Sequence, residues 1–241
     1  MAERVFKRVL LKLSGELLAG SGGQGVDAAA TTAVAERVRE ALDLGVQVAL
    51  VVGAGNLFRG LGASHRGMDR CSADAMGMLA TMMNALALRD AFEGLGVAAE
   101  IQSAIPMSGV MDGFDHRRAG AWLDSGRVVL FAGGTGHPFF TTDTTAALRA
   151  CQIGAEVILK GTKVDGIYTA DPVRDPRAVR LPRLTHAEAL ARRLAVMDMA
   201  AFSLCLDNRL PILVFRFGVA GDLARLMRGD FSAATLVQAD P

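Results

Sequence analysis

Phe131-Ala-Gly-Gly-Thr-Gly-His-Pro-Phe-Phe-Thr-Thr-Asp143 follows the apolar run Val128-Val129-Leu130-Phe131 and leads into the helix-forming run Thr144 to Gln152. The order is strand, glycine turn, helix start. Glycine lets a backbone take positive φ and approach a ligand closely, and the free N–H groups of a helix's first turn, with its dipole, attract anions. The stretch therefore predicts an α/β unit able to hold an anion, a phosphate first of all. An ordinary strand-to-helix connection capped by Thr and Asp fits the same residues.

Two further strand-to-glycine turns lie upstream. Val5 to Leu13 reads as a strand near the sheet centre and delivers Lys12 to Ser14-Gly15-Glu16. An ammonium at the end of an apolar strand either aims at phosphates over Gly15 or snorkels to solvent. Val46 to Val52 runs into Gly53-Ala54-Gly55-Asn56-Leu57-Phe58-Arg59-Gly60. Phe58 occupies the third glycine position of a dinucleotide fingerprint, and no acidic residue ends a following strand, so the Rossmann reading is weak. A Walker A loop is excluded because the chain has no Gly-Lys dipeptide.

The remaining chain alternates. Gly20 to Gly25 is too glycine-rich for regular structure and predicts a mobile loop. Asp27 offers an N-cap to a helix through Val34, Val38 and Leu42 that stops at Gly45. Ser72 to Leu95 predicts a long helix whose Met76, Met78, Leu79, Met82, Met83, Leu86 and Leu88 spread around its circumference, so that part of its cover comes from a second subunit or it is a central core helix. Asp74 in its first turn is a dipole-compensating charge or a ligand contact. Strands follow at Val97 to Gln102, Val128 to Phe131, Glu156 to Lys160, Ile212 to Phe215 and Ala234 to Val237, separated by helices at His116 to Asp124, Thr144 to Gln152, Thr185 onward (a capping box with Glu188), Met199 to Asp207 and Leu223 to Met227. This predicts one α/β domain over residues 1–241 with a mainly parallel, helix-covered sheet.

Charge and composition narrow the partners. Lys plus Arg is 26 against 25 for Asp plus Glu, leaving no net field to recruit nucleic acid or an acidic membrane. The longest apolar runs, such as Val46 to Val52, stop far short of a membrane span, and the start Met1-Ala-Glu-Arg lacks a signal peptide's apolar core, which predicts a cytoplasmic protein. Cys71, Cys151 and Cys205 stand apart and read as small core residues rather than as a disulfide framework or zinc site.

Five motifs in order, Lys12-Leu-Ser-Gly-Glu16, Gly53 to Gly60, Asp74 with Met76-Gly-Met-Leu-Ala-Thr81, Gly133 to Asp143, and Lys160-Gly-Thr-Lys-Val-Asp-Gly-Ile-Tyr-Thr-Ala-Asp-Pro172, closely resemble bacterial uridylate kinases over nearly the whole chain. The resemblance implies the amino acid kinase fold, a three-layer α/β/α sandwich, with the acceptor site mainly in the N-terminal part and the ATP site mainly beyond about residue 155. It implies transfer of the ATP γ-phosphoryl group to UMP in pyrimidine nucleotide synthesis, with Mg²⁺ carried by ATP, GTP as activator, UTP as inhibitor, and a homohexamer. By motif match, Lys12, Leu13, Ser14, Gly15, Gly55, Arg59, Thr162, Tyr168 and Asp171 resemble the ATP site. Ala54, Asp74, Thr135, Gly136, His137, Pro138, Phe139, Phe140, Thr141 and Thr142 resemble the UMP site. Gly20, Ser21, Gly22, Gly23, Gln24 and Gly25 resemble the segment used in GTP activation. No protein metal site is implied.

Two positions depart from the family pattern, which has Gly at Ala54 and commonly Asn at His137. Ala54 is harmless at negative φ and strained at positive φ, while His137 brings a side chain whose charge varies near neutral pH. The chemistry suits the residue set. Phosphoryl transfer needs alignment and neutralising charge, which Lys12, Arg59 and the glycine-turn N–H groups supply. A phosphate monoester with a second pKa of about 6 needs no general base at neutral pH. Asp143 repels phosphate unless a cation intervenes, so it is expected to orient Lys12 or an equivalent cation. A carboxylate or carbamate kinase of the same fold, or a non-catalytic nucleotide sensor or storage protein, are the alternatives.

Overall fold

Val9, Leu11 and Leu13 of strand β1 (Arg8–Leu13) point into one buried cluster, while Leu10 points into another on the opposite face. Strands β2 (Gln47–Val52), β5 (Val128–Ala132), β6 (Val157–Thr162) and β10 (Ile212–Arg216) alternate in the same way. A strand buried on both faces must be apolar throughout, which is why these runs lack polar alternation. The computed structural model describes residues 4–59, 67–172, 174–194 and 196–239. Its nine-stranded sheet is completed by β3 (Ala99–Ser103), β4 (Asp112–Gly113), β9 (Arg183–Thr185) and β11 (Ala234–Gln238), in the order β4-β3-β5-β2-β1-β6-β10-β11-β9. Every neighbouring pair is parallel except β10 with β11. A hairpin of β7 (Ile167–Tyr168) and β8 (Arg180–Leu181) lies outside it.

Helices cover both faces. On one side α1 (Ala28–Leu42), α2 (Arg70–Gly94) and α7 (Asp222–Met227) share a core with the odd-numbered residues of β1. On the other, α3 (His116–Asp124), α4 (Thr142–Gln152), α5 (His186–Ala191) and α6 (Met199–Asp207) do the same with Leu10. This is the expected three-layer sandwich. Caps define most helix starts: Asp27 accepts from the Ala30 N–H, Asp115 from Arg117 and Arg118, and Thr185 with Glu188 forms the predicted capping box.

Several expectations need correction. The first strand begins at Arg8 rather than Val5, whose N–H is drawn aside to the Met227 carbonyl at 2.9 Å. Helix α4 begins at Thr142, not Thr144, because Thr141 takes the cap and accepts from the Asp143 N–H. Gly20 to Gly25 contains a 3-10 turn at Gly20–Gly22, and Gly25 is fixed at both backbone groups: its N–H donates to the Asn56 carbonyl and its carbonyl accepts from Asn56 Nδ2. The expectation of a wholly irregular segment missed that turn and the Asn56 side chain, which lies 31 residues from Gly25. Cys205 is buried and Cys151 half-buried, but Cys71 is exposed, since it occupies the outer side of the first turn of α2. By length and composition alone helix α2 is long and apolar enough to cross a membrane, a test that a core helix also passes, so the expectation of no membrane span is not overturned. Its Met82, Ala85, Leu88 and Phe92 pack into the core, whereas Met76, Leu79 and Met83 remain exposed.

Candidate active site

The C-terminal ends of β1, β2, β5 and β6 carry the glycine turns, so the parallel sheet gathers segments far apart in sequence along one edge. Lys12 and Lys160 are directly opposed across β1 and β6. Their register places both on the face covered by α4, where Leu10 and Ile158 also point. Asp143, in the first turn of α4, lies between them: Lys12 Nζ is 2.7 Å from Oδ1 and Lys160 Nζ donates to Oδ2 at 2.7 Å. All three side chains are largely buried, at 13%, 10% and 14% exposure. Each carboxylate oxygen thus faces its own ammonium, Oδ1 that of Lys12 and Oδ2 that of Lys160.

Electrostatics follows from this enclosure. Burial by itself would raise the Asp143 carboxyl, but the Lys12 and Lys160 ammoniums outweigh it and hold the group below the usual carboxylate range. For Lys160, burial dominates and pushes its pKa down, with Asp143 opposing the shift and Lys12 adding to it. The cluster carries two cations for one anion. It thus presents surplus positive charge where an apolar environment makes that charge strong.

Gly53 joins this cluster to the turn after β1 and to the start of α4. A Cβ there would meet Thr142 Oγ1 at 3.4 Å and the Gly15 N at 3.7 Å. Gly15 is closer still, because an added Cβ would run into the Gly53 carbonyl and Asn56 Oδ1, so only glycine lets the two turns touch. Buried Asn84 holds that junction: its Nδ2 donates to the Gly53 carbonyl and to Asn56 Oδ1, both at 2.8 Å, while Asn56 Nδ2 donates back to Asn84 Oδ1 at 3.0 Å. Ala54 is buried and does not lie at positive φ, which removes the possible strain at that departure.

Two clefts open on either side. One, of about 210 Å³, is lined by Ala54, Asp74, His137, Phe140, Thr141 and Thr142, with Arg70, Met78 and Thr81 among the others. Asp74 Oδ2 accepts from Arg70 Nε at 2.7 Å and from the Phe139 N–H at 2.8 Å. That second bond holds Phe139 at φ 72°, a strained value for a non-glycine residue. Thr135, Gly136, Pro138 and Phe139 shape the loop but do not line the cleft. Thr135 Oγ1 closes the turn with both the His137 N–H and carbonyl, and Gly136 keeps a positive φ.

The second cleft, of about 280 Å³, is lined by Ser14, Glu16, Leu17, Gly20, Gly23, Arg59, Gly161, Thr162 and Lys163. Glu16 pairs with Arg59 and, at 2.7 Å, with Lys163, which together lower its pKa, the Lys163 hydrogen bond contributing most. Gly55 lies beside it, in a groove shared with Gln24, Gly25 and Arg59. Leu13 is buried in the core, so only its backbone faces this end. Tyr168 donates from its hydroxyl to Asp165 Oδ1 at 2.7 Å, and Asp171 accepts from the Arg174 and Asp175 N–H groups through its carbonyl. Neither Tyr168 nor Asp171 lines the cleft. Gly60, the last member of the second turn, falls outside the described residues.

Sequence reasoning missed Lys160 as a site residue, as well as Arg70, Asn84 and Asp198, whose carboxylate accepts from the Thr141 and Thr144 hydroxyls at the start of α4. Asn84 was findable as a lone amide within an apolar helix, and Lys160 as a second lysine at a buried strand end. Asp198 gave no sequence signal beyond a helix cap.

The family model described as the amino acid kinase family matches residues 7–216. The chain is 49% identical over 236 residues to a uridylate kinase of Saccharophagus degradans, covering 98% of this chain and 95% of that protein. It is 51% identical over 224 residues to a uridylate kinase of Brucella anthropi, covering 93% of each. Among solved structures, the UMP kinase from Bacillus anthracis superposes with a TM-score of 0.93 at 35% identity, over 99% of this chain and 98% of that one. The uridylate kinase from Archaeoglobus fulgidus gives 0.70 at 28%, over 95% and 99%.

Proposed function

Since the chain belongs to the uridylate kinases of the amino acid kinase family, we infer that it transfers the γ-phosphoryl group of ATP to UMP, giving UDP and ADP. The observation that carries the mechanism is the Lys12–Asp143–Lys160 cluster next to the junction of the two clefts. UMP occupies the cleft of Ala54, Asp74, His137 and Thr141, and ATP the cleft of Ser14, Arg59 and Thr162. Lys12 meets the charge that spreads over the transferring oxygens, and Asp143 holds Lys12 in place without touching phosphate. The UMP phosphate attacks as its dianion, so no base is required.

Both oxygens of Asp143 face lysines, and among the described residues no three His, Cys, Asp or Glu side chains gather. These residues do not fit a resident metal, so Mg²⁺ enters with ATP as part of that substrate. Residues 1–241 form one catalytic unit, with acceptor contacts before residue 155 and an ATP cleft that draws on both parts, Ser14 and Arg59 from the first and Thr162 and Lys163 from the second. The Gly20 to Gly25 segment, bonded to Asn56 beside Gly55, mediates activation by GTP, and UTP inhibits. The exposed Met76, Leu79 and Met83 of α2 form part of a subunit contact in a homohexamer. The enzyme works in the cytoplasm, in pyrimidine nucleotide synthesis.

ADP formation from ATP and Mg²⁺, with UMP, CMP, dUMP and carbamate offered separately and with or without GTP, tests this reading. Turnover with UMP alone is expected. Turnover with carbamate instead points to the carbamate kinase alternative, and ATP binding without any turnover to the sensor.

A further inference from the structure

We propose that Asp198, which lies in neither cleft, is the positioning residue of the acceptor site. One carboxylate serves two helix starts. As the N-cap of α6 it accepts from the Ala201 N–H at 2.8 Å. Across the layer it also accepts from the hydroxyl of Thr141, the N-cap of α4, from the Thr144 N–H at 3.2 Å, and from Thr144 Oγ1 at 2.8 Å. Thr141 Oγ1 in turn accepts from the Asp143 N–H at 3.0 Å, and its carbonyl accepts from Thr145 Oγ1 at 3.1 Å. The first turn of α4 is therefore locked from outside its own helix.

The geometry gives this lock a function beyond capping. Thr141 and Thr142 line the acceptor cleft, whereas the nucleotide cleft contains no residue bonded to Asp198. A hydroxyl that donates to Asp198 and accepts from Asp143 has its rotation fixed, so the cleft wall is set before a ligand arrives. The anchor itself is firm: Met197, Ala201 and Phe202 are buried, and the Val196 carbonyl accepts from Lys160 Nζ. Two helix N-termini also share one half-buried anion, which compensates both dipoles without itself entering the cleft.

This inference rests on the assignment of that cleft to UMP, and its test separates the two. Kd for UMP and for ATP by calorimetry, together with KM and kcat, are to be measured for the full chain and for Asp198→Ala and Thr144→Val. The second variant removes only the cross-layer hydroxyl and leaves the α6 cap, so it decides the matter if Asp198→Ala fails to fold. Expected are a rise of about tenfold in Kd and KM for UMP with Asp198→Ala and about threefold with Thr144→Val, with the ATP values within about twofold. Asp198→Asn, which keeps one acceptor oxygen, restores part of the loss. Unchanged UMP affinity in folded variants, or equal losses for UMP and ATP, overturns the proposal. A wild-type chain that binds UMP without phosphorylating it fails the kinase reading, while the Kd ratios still judge Asp198.

Discussion

Two clusters in this molecule have the same charges and opposite surroundings. Lys12, Asp143 and Lys160 form a two-cation, one-anion set that is almost closed to solvent, while Arg59, Glu16 and Lys163 form another at the mouth of the cleft lined by Ser14 and Thr162, where Arg59 and Lys163 are 69% and 79% exposed. Burial makes the first set rigid and strong, since removing one partner strands the others in a poorly solvated place. Water and counterions weaken the second, which leaves its long side chains free to release Glu16 and turn to a ligand. The difference separates a fixed electrostatic centre from an adaptable rim.

The comparison breaks most sharply at Lys12. Lys12→Met should lower kcat by roughly a hundredfold or more with the fold retained, as expected for loss of charge stabilisation in the transition state; steady-state kinetics with circular dichroism as control checks it, and retained turnover contradicts the role. Asp143→Asn comes next. It should lower kcat by roughly tenfold or more and change KM for UMP by less than threefold, and it should cost roughly 3 kcal/mol in denaturant unfolding because two buried ammoniums lose their anion. Its acid limb has a definite sign. The carboxyl is held below its ordinary value, so its stabilising share is complete above pH ~4 and disappears as pH falls through the lowered value. The Asn variant should lose less stability than the wild type between pH ~4 and pH ~2.

At the rim the effects should be small. Glu16→Gln should change unfolding free energy by less than about 1 kcal/mol, the range of exposed pairs, while KM for ATP moves about threefold or less and becomes less dependent on salt. A loss as large as that of Asp143→Asn would erase the distinction between the clusters. A last effect, absent at pH 7.5 and confined to lower pH, concerns His186, fully buried, whose Nε2 meets the Leu210 carbonyl at 3.0 Å. Burial lowers its pKa. Below its ordinary value of about 6.5 the unfolded chain takes up a proton that the folded chain refuses, so stability declines as pH falls, by at most about 1.4 kcal/mol per pH unit. His186→Gln should flatten that slope between pH 7 and 5 without altering kcat at pH 7.5.

The sequence by itself determined the alternation of strands and helices, because doubly buried strands are apolar throughout and helix starts carry their caps in adjacent residues. His116 to Asp124 and Met199 to Asp207 form helices with the expected bounds. The five glycine and lysine motifs were also local, and they sufficed to identify the family. Tertiary structure alone decided which of those residues meet. Lys160 stands beside Lys12 only because β6 pairs with β1 in one register, 148 residues apart in the chain, and a shift of one residue would turn its side chain to the other face. Asn84 grips Gly53 across 31 residues, and Asp198 reaches Thr144 across 54. Local pattern records what a segment can form, whereas parallel pairing through long crossovers sets its partners, and that pairing is fixed by the packing of the whole sheet.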